Sequence, residues 1–209
     1  MQNKIKNIIF DFGGVVFHIE EQRTIDAFAR LYQCSDKQVL EYLFANDLFL
    51  SFECGKISAR DFITHLQSLA PHPVTQEQIL SAWNAILVGY PPEHIPLLLA
   101  LKKNYRTFLL SNTNELHTIE FPKIAQRQQL GIQSNYDMFE KVWYSNEIGM
   151  RKPNPEIFKF VLQDAGLVAE ETLFVDDLAE NVAAASTIGI HTMQITKDNG
   201  IVQIFKDWI

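Results

Sequence analysis

The chain has 209 residues, of which 47% are hydrophobic and 21% charged, and its formal net charge is −7. A chain of this length can bury a core of its own, and its ordinary composition argues against intrinsic disorder. The acidic balance, with no basic stripe, argues against a broad nucleic-acid footprint and favours a small ligand or a protein partner.

The sequence also predicts no association with a membrane. The apolar stretch at the N-terminus is too short for a signal peptide, and no run approaches the roughly 18 apolar residues of a spanning helix. Cys34 and Cys54 lack CxxC spacing, which favours free thiols in a reducing compartment. We therefore expect a cytoplasmic protein.

Five short apolar runs, rich in β-branched and aromatic residues, predict strands at residues 5–10, 106–110, 142–144, 172–175 and 192–195. Helical patterns lie between the later runs; one carries Ile157, Phe160, Val161 and Ala165 at helical spacing and ends at Gly166. This alternation predicts an α/β fold, a doubly wound parallel sheet with helices on both faces.

The interval between the first two predicted strands is too long for one crossover helix, so it must hold an insert. Within it, Ser58 with Asp61 and Thr75 with Gln78 have the spacing of helix-capping boxes. We predict an inserted helical cap of about four helices at residues 18–88, and an α/β core formed by residues 1–17 and 89–209.

Polar residues stand where the predicted strands end, namely Asp11, Ser111, Ser145 and the pair Asp176 and Asp177. In a doubly wound parallel sheet the carboxyl ends of the strands open onto one crevice, where such folds bind ligands. These residues are therefore predicted to meet although they are far apart in sequence.

Each of these residues also has a purely structural interpretation. Asp176 or Asp177 could cap the helix that follows, as could Ser111 or Asn112 after the second strand. Lys152 could be an ordinary solvated loop lysine. Taken together, the residues favour a functional site over these separate explanations.

Four ordered segments carry a family resemblance: "FDFGGVV" with Asp11, "LLSNTN" with Ser111, "GMRKP" with Lys152, and "LFVDD" with Asp176 and Asp177. They resemble the motifs of the haloacid dehalogenase-like superfamily, whose members are mostly phosphatases. The helical insert resembles the small cap of that family. The segments are most similar to the bacterial sugar-phosphate phosphatase branch, which includes α-D-glucose-1-phosphate phosphatases.

The chemistry of phosphoryl transfer assigns roles to the first two motifs and the lysine. A rigidly held carboxylate at a strand end can act as nucleophile and form an aspartyl-phosphate, a role that fits Asp11. Lys152, the Ser111 hydroxyl and the backbone amides near Phe12 and Gly13 could offset charge on the transferring phosphoryl group.

Asn112 stands in the second motif beside Ser111 and is a further candidate for binding substrate. Mg²⁺ prefers hard oxygen ligands, so Asp11, Asp176 and Asp177 are candidate ligands. The family resemblance implies that the backbone carbonyl of Gly13 is a further Mg²⁺ ligand. Asn181, one turn beyond the acidic pair, could orient one of these carboxylates.

Gly13 departs from the family pattern, because most phosphatases of this superfamily have an aspartate there that serves as general acid and base. Three consequences are open. His18, Glu20 or Glu21 could substitute; the substrate could have a better leaving group, such as an anomeric sugar oxygen or an aryl group; or the chain could bind a phosphorylated ligand without useful turnover.

We therefore expect a Mg²⁺-dependent phosphatase that acts on a small phosphorylated metabolite, a sugar phosphate, as a monomer or homodimer. The alternatives are a 2-haloacid dehalogenase-type hydrolase and a catalytically weak phosphosugar-binding module. Among cap residues, Phe52, Glu53 and Lys56 could face the site by position, whereas Phe44, Leu48 and Phe49 are expected to belong to the cap core.

Overall fold

A computed structural model describes residues 4–44, 47–196 and 198–209 of the chain. Its strands are β1 (Asn7–Phe10), β2 (His18–Ile19), β3 (Leu87–Gly89), β4 (Arg106–Ser111), β5 (Lys141–Tyr144), β6 (Thr172–Asp176) and β7 (His191–Gln194). Its helices are α1 (Glu21–Tyr32), α2 (Asp36–Phe44), α3 (Leu48–Glu53), α4 (Ala59–Leu69), α5 (Gln76–Trp83), α6 (His94–Asn104), α7 (Glu115–Arg127), α8 (Ser145–Ile148), α9 (Pro155–Ala165), α10 (Ala179–Ser186) and α11 (Ile201–Phe205).

The core is a five-stranded parallel sheet in the order β5-β4-β1-β6-β7. The central strand β1 pairs with β4 on one side and with β6 on the other, so Phe10 lies between Leu109 and Val175. The predicted doubly wound α/β fold is confirmed. The strand order changes direction beside β1, which places the ligand crevice at the carboxyl end of that strand.

Alternate strand residues bury against opposite helical layers, which explains why the strands are apolar on both faces. Phe10, Leu109 and Val175 belong to the core cluster that includes α6, α7 and α11. Ile9 and Phe174 belong to the cluster formed with α9 and α10. The predicted strands were correct in place, but β4 extends to Ser111 and β6 to Asp176, because backbone pairing continues into the polar ends.

Helices α1 to α5 pack around a separate hydrophobic cluster whose buried members include Phe28, Phe52, Phe62 and Trp83. The insert therefore has five helices where the sequence predicted about four. The short antiparallel pair β2–β3 lies where the chain enters and leaves this helical region. The boundaries 18–88 remain a prediction.

The capping predictions are confirmed in part. Thr75 and Gln78 form a complete capping box at the start of α5. Ser58 caps α4, but the Asp61 carboxylate accepts from the Ser58 hydroxyl at 2.7 Å instead of from its backbone N–H, so that box is incomplete. Within the described residues no helix is long and apolar enough to span a membrane.

Candidate active site

Three of the predicted strand-end residues meet in the crevice. Asp11 directly follows β1, and its backbone N–H donates to the Val175 carbonyl at 2.8 Å. Ser111 ends β4 and Asp176 ends β6, and all three side chains are buried. Because the strands are parallel and in register, residues separated by up to 165 positions lie at one edge of the sheet.

Ser145, the fourth predicted strand-end residue, is not part of this group. Its single O–H donates to the Glu53 carbonyl at 2.6 Å, with the Thr113 carbonyl at 3.0 Å as the alternative acceptor, and its oxygen accepts from the Thr113 N–H at 2.9 Å. Glu53 lies in α3, so this fully buried serine joins the helical insert to the core and leaves no group free for chemistry.

Lys152 is buried, contrary to the ordinary interpretation of a loop lysine, with 1% of its surface exposed. Its Nζ lies 2.5 Å from Asp11 Oδ1 and 2.7 Å from Asp176 Oδ2. Burial opposes the charged form, but the two carboxylates outweigh it and raise the pKa of Lys152. The lysine is therefore a fixed positive charge between two acids.

Asn112 holds the backbone that carries this lysine. Its Oδ1 accepts from the Lys152 N–H and its Nδ2 donates to the Lys152 carbonyl, both at 2.9 Å. The predicted caps at Ser111 and Asn112 are wrong: Asn114 caps α7 by accepting from the His117 N–H at 3.2 Å. Both polar groups of the Asn112 amide are thus used to position Lys152.

The Asp11 carboxyl has the electrostatics of a buried, reactive group. Burial raises the pKa of Asp11 to about 7; Lys152 opposes the rise, Asp176 adds to it, and the Phe12 backbone N–H opposes it further. Lys152 contacts Oδ1 and not Oδ2. A divalent cation beside this carboxyl would favour the ionised form.

The two neighbouring acids differ in how they are held. Asp176 accepts from Lys152, from the Leu178 N–H at 2.8 Å, and at both oxygens from Asn181 Nδ2 at 3.0 Å. Asp177 is half-buried, and burial together with the charge of Asp176 raises its pKa. Asp176 is therefore locked by hydrogen bonds, and the predicted position of Asn181 beside it is found.

The residues present fit a magnesium ion. Carboxylate oxygens of Asp11, Asp176 and Asp177 all lie within 4.8 Å of one another. Asn181 Oδ1 is buried and has no hydrogen-bond partner among the described residues, which leaves an acceptor for a metal-bound water. Three hard oxygen donors with room for water or phosphate are the donor set that Mg²⁺ prefers.

Ile19 occupies the space beside Gly13. A Cβ at Gly13 would lie 3.1 Å from Ile19 Cδ1, which is tighter than an ordinary contact. A side chain at position 13 would therefore crowd Ile19, an apolar residue of β2. Among the residues that could replace the missing general acid, Glu21 lines the cavity beside Gly13. The Glu20 carboxylate instead pairs with Arg23.

The cap residues behave differently from one another. Phe52 is buried in the cap core, and Lys56 is exposed and does not line the cavity beside Ser111, so neither faces the site. Glu53 does line the cavity, and its carboxylate pairs with Arg151 Nη2 at 3.0 Å. Phe44 is 47% exposed, so its assignment to the cap core is also wrong.

Sequence reasoning missed Ile19, Asn114 and Arg151. Ile19 gave no signal, because an isoleucine in a short strand is ordinary. Asn114 could have been found, since an asparagine before "ELH" is a favourable N-cap. Arg151 directly precedes Lys152, and only the fold shows that it reaches Glu53 in the helical insert.

Comparison with known proteins agrees with this geometry. The family model for haloacid dehalogenase-like hydrolases matches residues 5–189. D-ribitol-5-phosphate phosphatase of Bacteroides thetaiotaomicron is 33% identical over 98% of this chain and 95% of its own length. The sesquiterpene phosphatase AstK of Aspergillus oryzae is 30% identical over 94% of this chain and 92% of its own.

A solved structure extends the similarity to the fold. The crystal structure of a HAD family enzyme from Bacteroides thetaiotaomicron, in complex with magnesium and inorganic phosphate, has a TM-score of 0.86 and 34% identity, covering 96% of this chain and 99% of that one. The chain is thus a hydrolase built on a doubly wound sheet with a strand-end aspartate. It belongs to the haloacid dehalogenase-like hydrolases.

Proposed function

We propose that the protein is a Mg²⁺-dependent phosphatase that acts on a small phosphorylated metabolite, a sugar or polyol phosphate, through an aspartyl-phosphate. The observation that carries this proposal is the buried Asp11–Lys152–Asp176 arrangement, in which Lys152 contacts only one carboxylate oxygen of Asp11. The family, and a 33% identical relative that acts on ribitol 5-phosphate by name, support the substrate class.

In the first step an Asp11 oxygen attacks phosphorus and the bond from phosphorus to the leaving oxygen breaks, so the leaving group departs with the electron pair. Lys152, the Ser111 hydroxyl and the backbone N–H groups of Phe12 and Gly13 stabilise charge on the transferring oxygens. In the second step water attacks phosphorus, and the Asp11 carboxylate is released together with inorganic phosphate.

Asp11, Asp176, Asp177 and the Gly13 carbonyl would hold Mg²⁺. Asp177 is the stronger candidate for a direct bond, because Asp176 already accepts from Lys152, Leu178 and Asn181. The bound ion would supply positive charge to the phosphoryl oxygens.

We propose that the metabolite is the only partner required, with neither nucleic acid nor membrane, and that the protein works in the cytoplasm as a monomer or homodimer. A dehalogenase-type activity is less favoured, since such enzymes need no metal and would not require the acidic pair Asp176 and Asp177.

Phosphate release from sugar and polyol phosphates, measured with Mg²⁺ and with a chelator, tests this function. We expect turnover that requires the metal and disappears in Asp11→Asn. Turnover that survives chelation or the substitution would contradict the proposal. Absence of turnover on every ester, with phosphate still bound, would favour the phosphosugar-binding module.

Gly14→Ala is expected to weaken Mg²⁺ binding about tenfold or more, the range found when groups that orient metal ligands are changed. Gly14 has φ +82°, and a Cβ there would lie 2.5 Å from Asp177 Oδ2, so the carboxylate must move. Gly166→Ala is the matched control, because Gly166 has φ +62° with no atom within 4 Å of the added Cβ. Calorimetric Mg²⁺ titration would contradict this prediction if both variants bound equally.

Restoring the missing acid should require two changes. Gly13→Asp alone would collide with Ile19, whereas Gly13→Asp combined with Ile19→Ala gives the carboxyl room. We expect the double variant to hydrolyse alkyl and sugar phosphates at least about tenfold faster than Ile19→Ala alone, since positioned acid–base groups contribute about 10²–10⁴.

The isosteric control is Gly13→Asn with Ile19→Ala, which should show no such gain. A comparison of Glu21→Gln with Glu20→Gln tests whether Glu21 already donates the proton to the leaving oxygen. A loss of turnover confined to Glu21→Gln, with no gain in the double variant, would show that the acid has been replaced and not lost.

A further inference from the structure

A cavity of about 310 Å³ lies between the helical insert and the core, beside Ser111. A leaving group attached to a phosphate at the catalytic carboxylate would extend into it. Its walls are mainly apolar, but the ionisable side chains of Glu21, Glu53 and His117 also line it. Glu53 is paired with Arg151, and Glu21 is exposed. His117 stands in the first turn of α7, the helix that follows the strand ending at Ser111.

Asn114 fixes the orientation and the tautomer of the His117 ring. Asn114 Oδ1 accepts from Trp83 Nε1 at 3.3 Å and from the His117 backbone N–H at 3.2 Å. Both of these groups can only donate, so the other polar group of the amide, Nδ2, is the donor. Nδ2 lies 3.1 Å from His117 Nδ1, which must therefore accept. A neutral imidazole whose Nδ1 accepts carries its proton on Nε2.

The imidazole is held in its neutral form. Burial lowers the pKa of His117 to about 4, and the Trp83 backbone carbonyl opposes this shift only in part. A charged imidazolium would also lose the bond from Asn114 Nδ2, because both of its nitrogens donate. The ring stacks on the Trp83 indole, with ring centroids 5.5 Å apart and 23° between the ring planes. Since Trp83 belongs to the insert and His117 to the core, the ring lies where these two parts meet.

The Nε2–H group of His117 is a buried donor that lacks an acceptor. Nε2 has no hydrogen-bond partner among the described residues. The Trp83 carbonyl does not form such a bond with it, and lies 3.1 Å from the Thr24 hydroxyl instead. An unpaired buried donor is destabilising, so a ligand oxygen that pairs with it restores a bond that water does not supply.

We propose that His117 is a specificity-determining residue whose Nε2–H donates to a hydroxyl oxygen of the sugar or polyol leaving group. This inference rests on the proposed phosphatase function. His117 and Ser111 line the same cavity, so a substrate whose phosphate lies at Asp11 can extend towards the ring. Glu21 offers an acceptor in the same walls, and a hydroxyl group can both accept and donate. A purely apolar leaving group would leave Nε2–H unpaired and is therefore disfavoured.

D-Ribitol 5-phosphate and pentyl phosphate test this inference, because their carbon chains have the same length and only the first carries hydroxyl groups. We expect the native protein to have a KM about tenfold lower for the polyol ester, the effect of pairing a buried donor. Equal KM values for the two esters would overturn the inference.

His117→Asn and His117→Gln separate the two ring nitrogens. The asparagine oxygen can accept from Asn114 in place of Nδ1 but puts no donor in the place of Nε2, which the glutamine amide nitrogen can reach. We expect His117→Asn to raise the KM for ribitol 5-phosphate about tenfold, with kcat and the KM for pentyl phosphate little changed, and His117→Gln to stay within about threefold of the native protein. An equal rise for both esters in His117→Asn would contradict the proposal.

His65→Asn is the matched control. The Nε2 of His65 also lacks a hydrogen-bond partner among the described residues, but His65 does not line the cavity. The preference for the polyol ester should therefore persist in this variant. Its loss in His65→Asn to the same extent as in His117→Asn would overturn the inference.

Binding to Asp11→Asn protein separates this inference from the proposed function. By calorimetry, ribitol 5-phosphate should bind about tenfold more tightly than pentyl phosphate, and adding His117→Asn should reduce that preference to less than about threefold. If the native protein hydrolyses neither ester but the preference depends on His117, the proposed function fails and the role of His117 stands. If both esters are hydrolysed and the preference does not depend on His117, only this inference fails.

Discussion

Asp11→Asn is expected to lower kcat/KM by about 10⁴-fold or more while leaving the fold intact. The amide nitrogen and the neutral oxygen of asparagine cannot form the aspartyl-phosphate, and no other described carboxylate contacts Lys152 except Asp176, which is fixed by Asn181 and Leu178. Steady-state phosphate release is the measurement. Residual activity within about a hundredfold of the native value would contradict the assignment of Asp11 as nucleophile.

The same substitution should not lower the stability of the metal-free protein. Burial raises the pKa of Asp11 from 3.8 to about 7, so the folded state penalises the ionised form. That penalty is absent below about pH 4, grows as pH rises towards 7 and is complete above it. At pH 8 asparagine removes the penalty, and urea denaturation should place the variant at or above the native protein.

Lys152→Met is expected to have the largest effect on stability, a loss of about 3–5 kcal/mol at pH 8. Lys152 is the only described cation in contact with both Asp11 and Asp176, and its removal leaves two buried carboxylates facing each other. Activity should fall as well, because the charge beside the transferring oxygens is lost. Denaturant unfolding of the metal-free protein measures the change.

The pH dependence distinguishes this cause from simple loss of packing. Without the lysine, only the Phe12 backbone N–H offsets the burial and the Asp176 charge that raise the pKa of Asp11. The repulsion between the two carboxylates is then relieved as Asp11 takes up a proton at lower pH. The destabilisation should therefore shrink between pH 8 and pH 5. Lys159→Met, at an exposed lysine paired with Glu156, should change stability by less than about 0.5 kcal/mol. An equal loss for Lys152→Met at both pH values would contradict this explanation.

The fold was predictable because each strand carries its own signal. β1, β4 and β6 are short runs of β-branched and aromatic residues; β4 and β6 end at a polar residue, and Asp11 directly follows β1. Parallel pairing then determines that these ends meet. Asp11, Ser111 and Asp176 could be placed in one crevice for that reason alone.

Contacts between distant side chains were not predictable in the same way. Asp176 is locked by Asn181 and the Leu178 N–H, and neither group holds Asp177, although two adjacent aspartates look alike in sequence. The proximity of Ile19 to Gly13 is visible only in the folded structure. Phe44 followed the helical pattern of the cap core but lies at its edge, because an apolar pattern does not specify depth.

Rapid-quench analysis with 2-naphthyl phosphate and Mg²⁺ tests the central claim most directly. With glycine at position 13 and hence no side chain there to act as general base, hydrolysis of the aspartyl-phosphate should be slower than its formation. We predict a burst of naphthol close to one equivalent per enzyme, and a phosphoryl group on Asp11 in the acid-quenched protein. Continued turnover with no burst and no phosphoryl group on Asp11 would contradict the account.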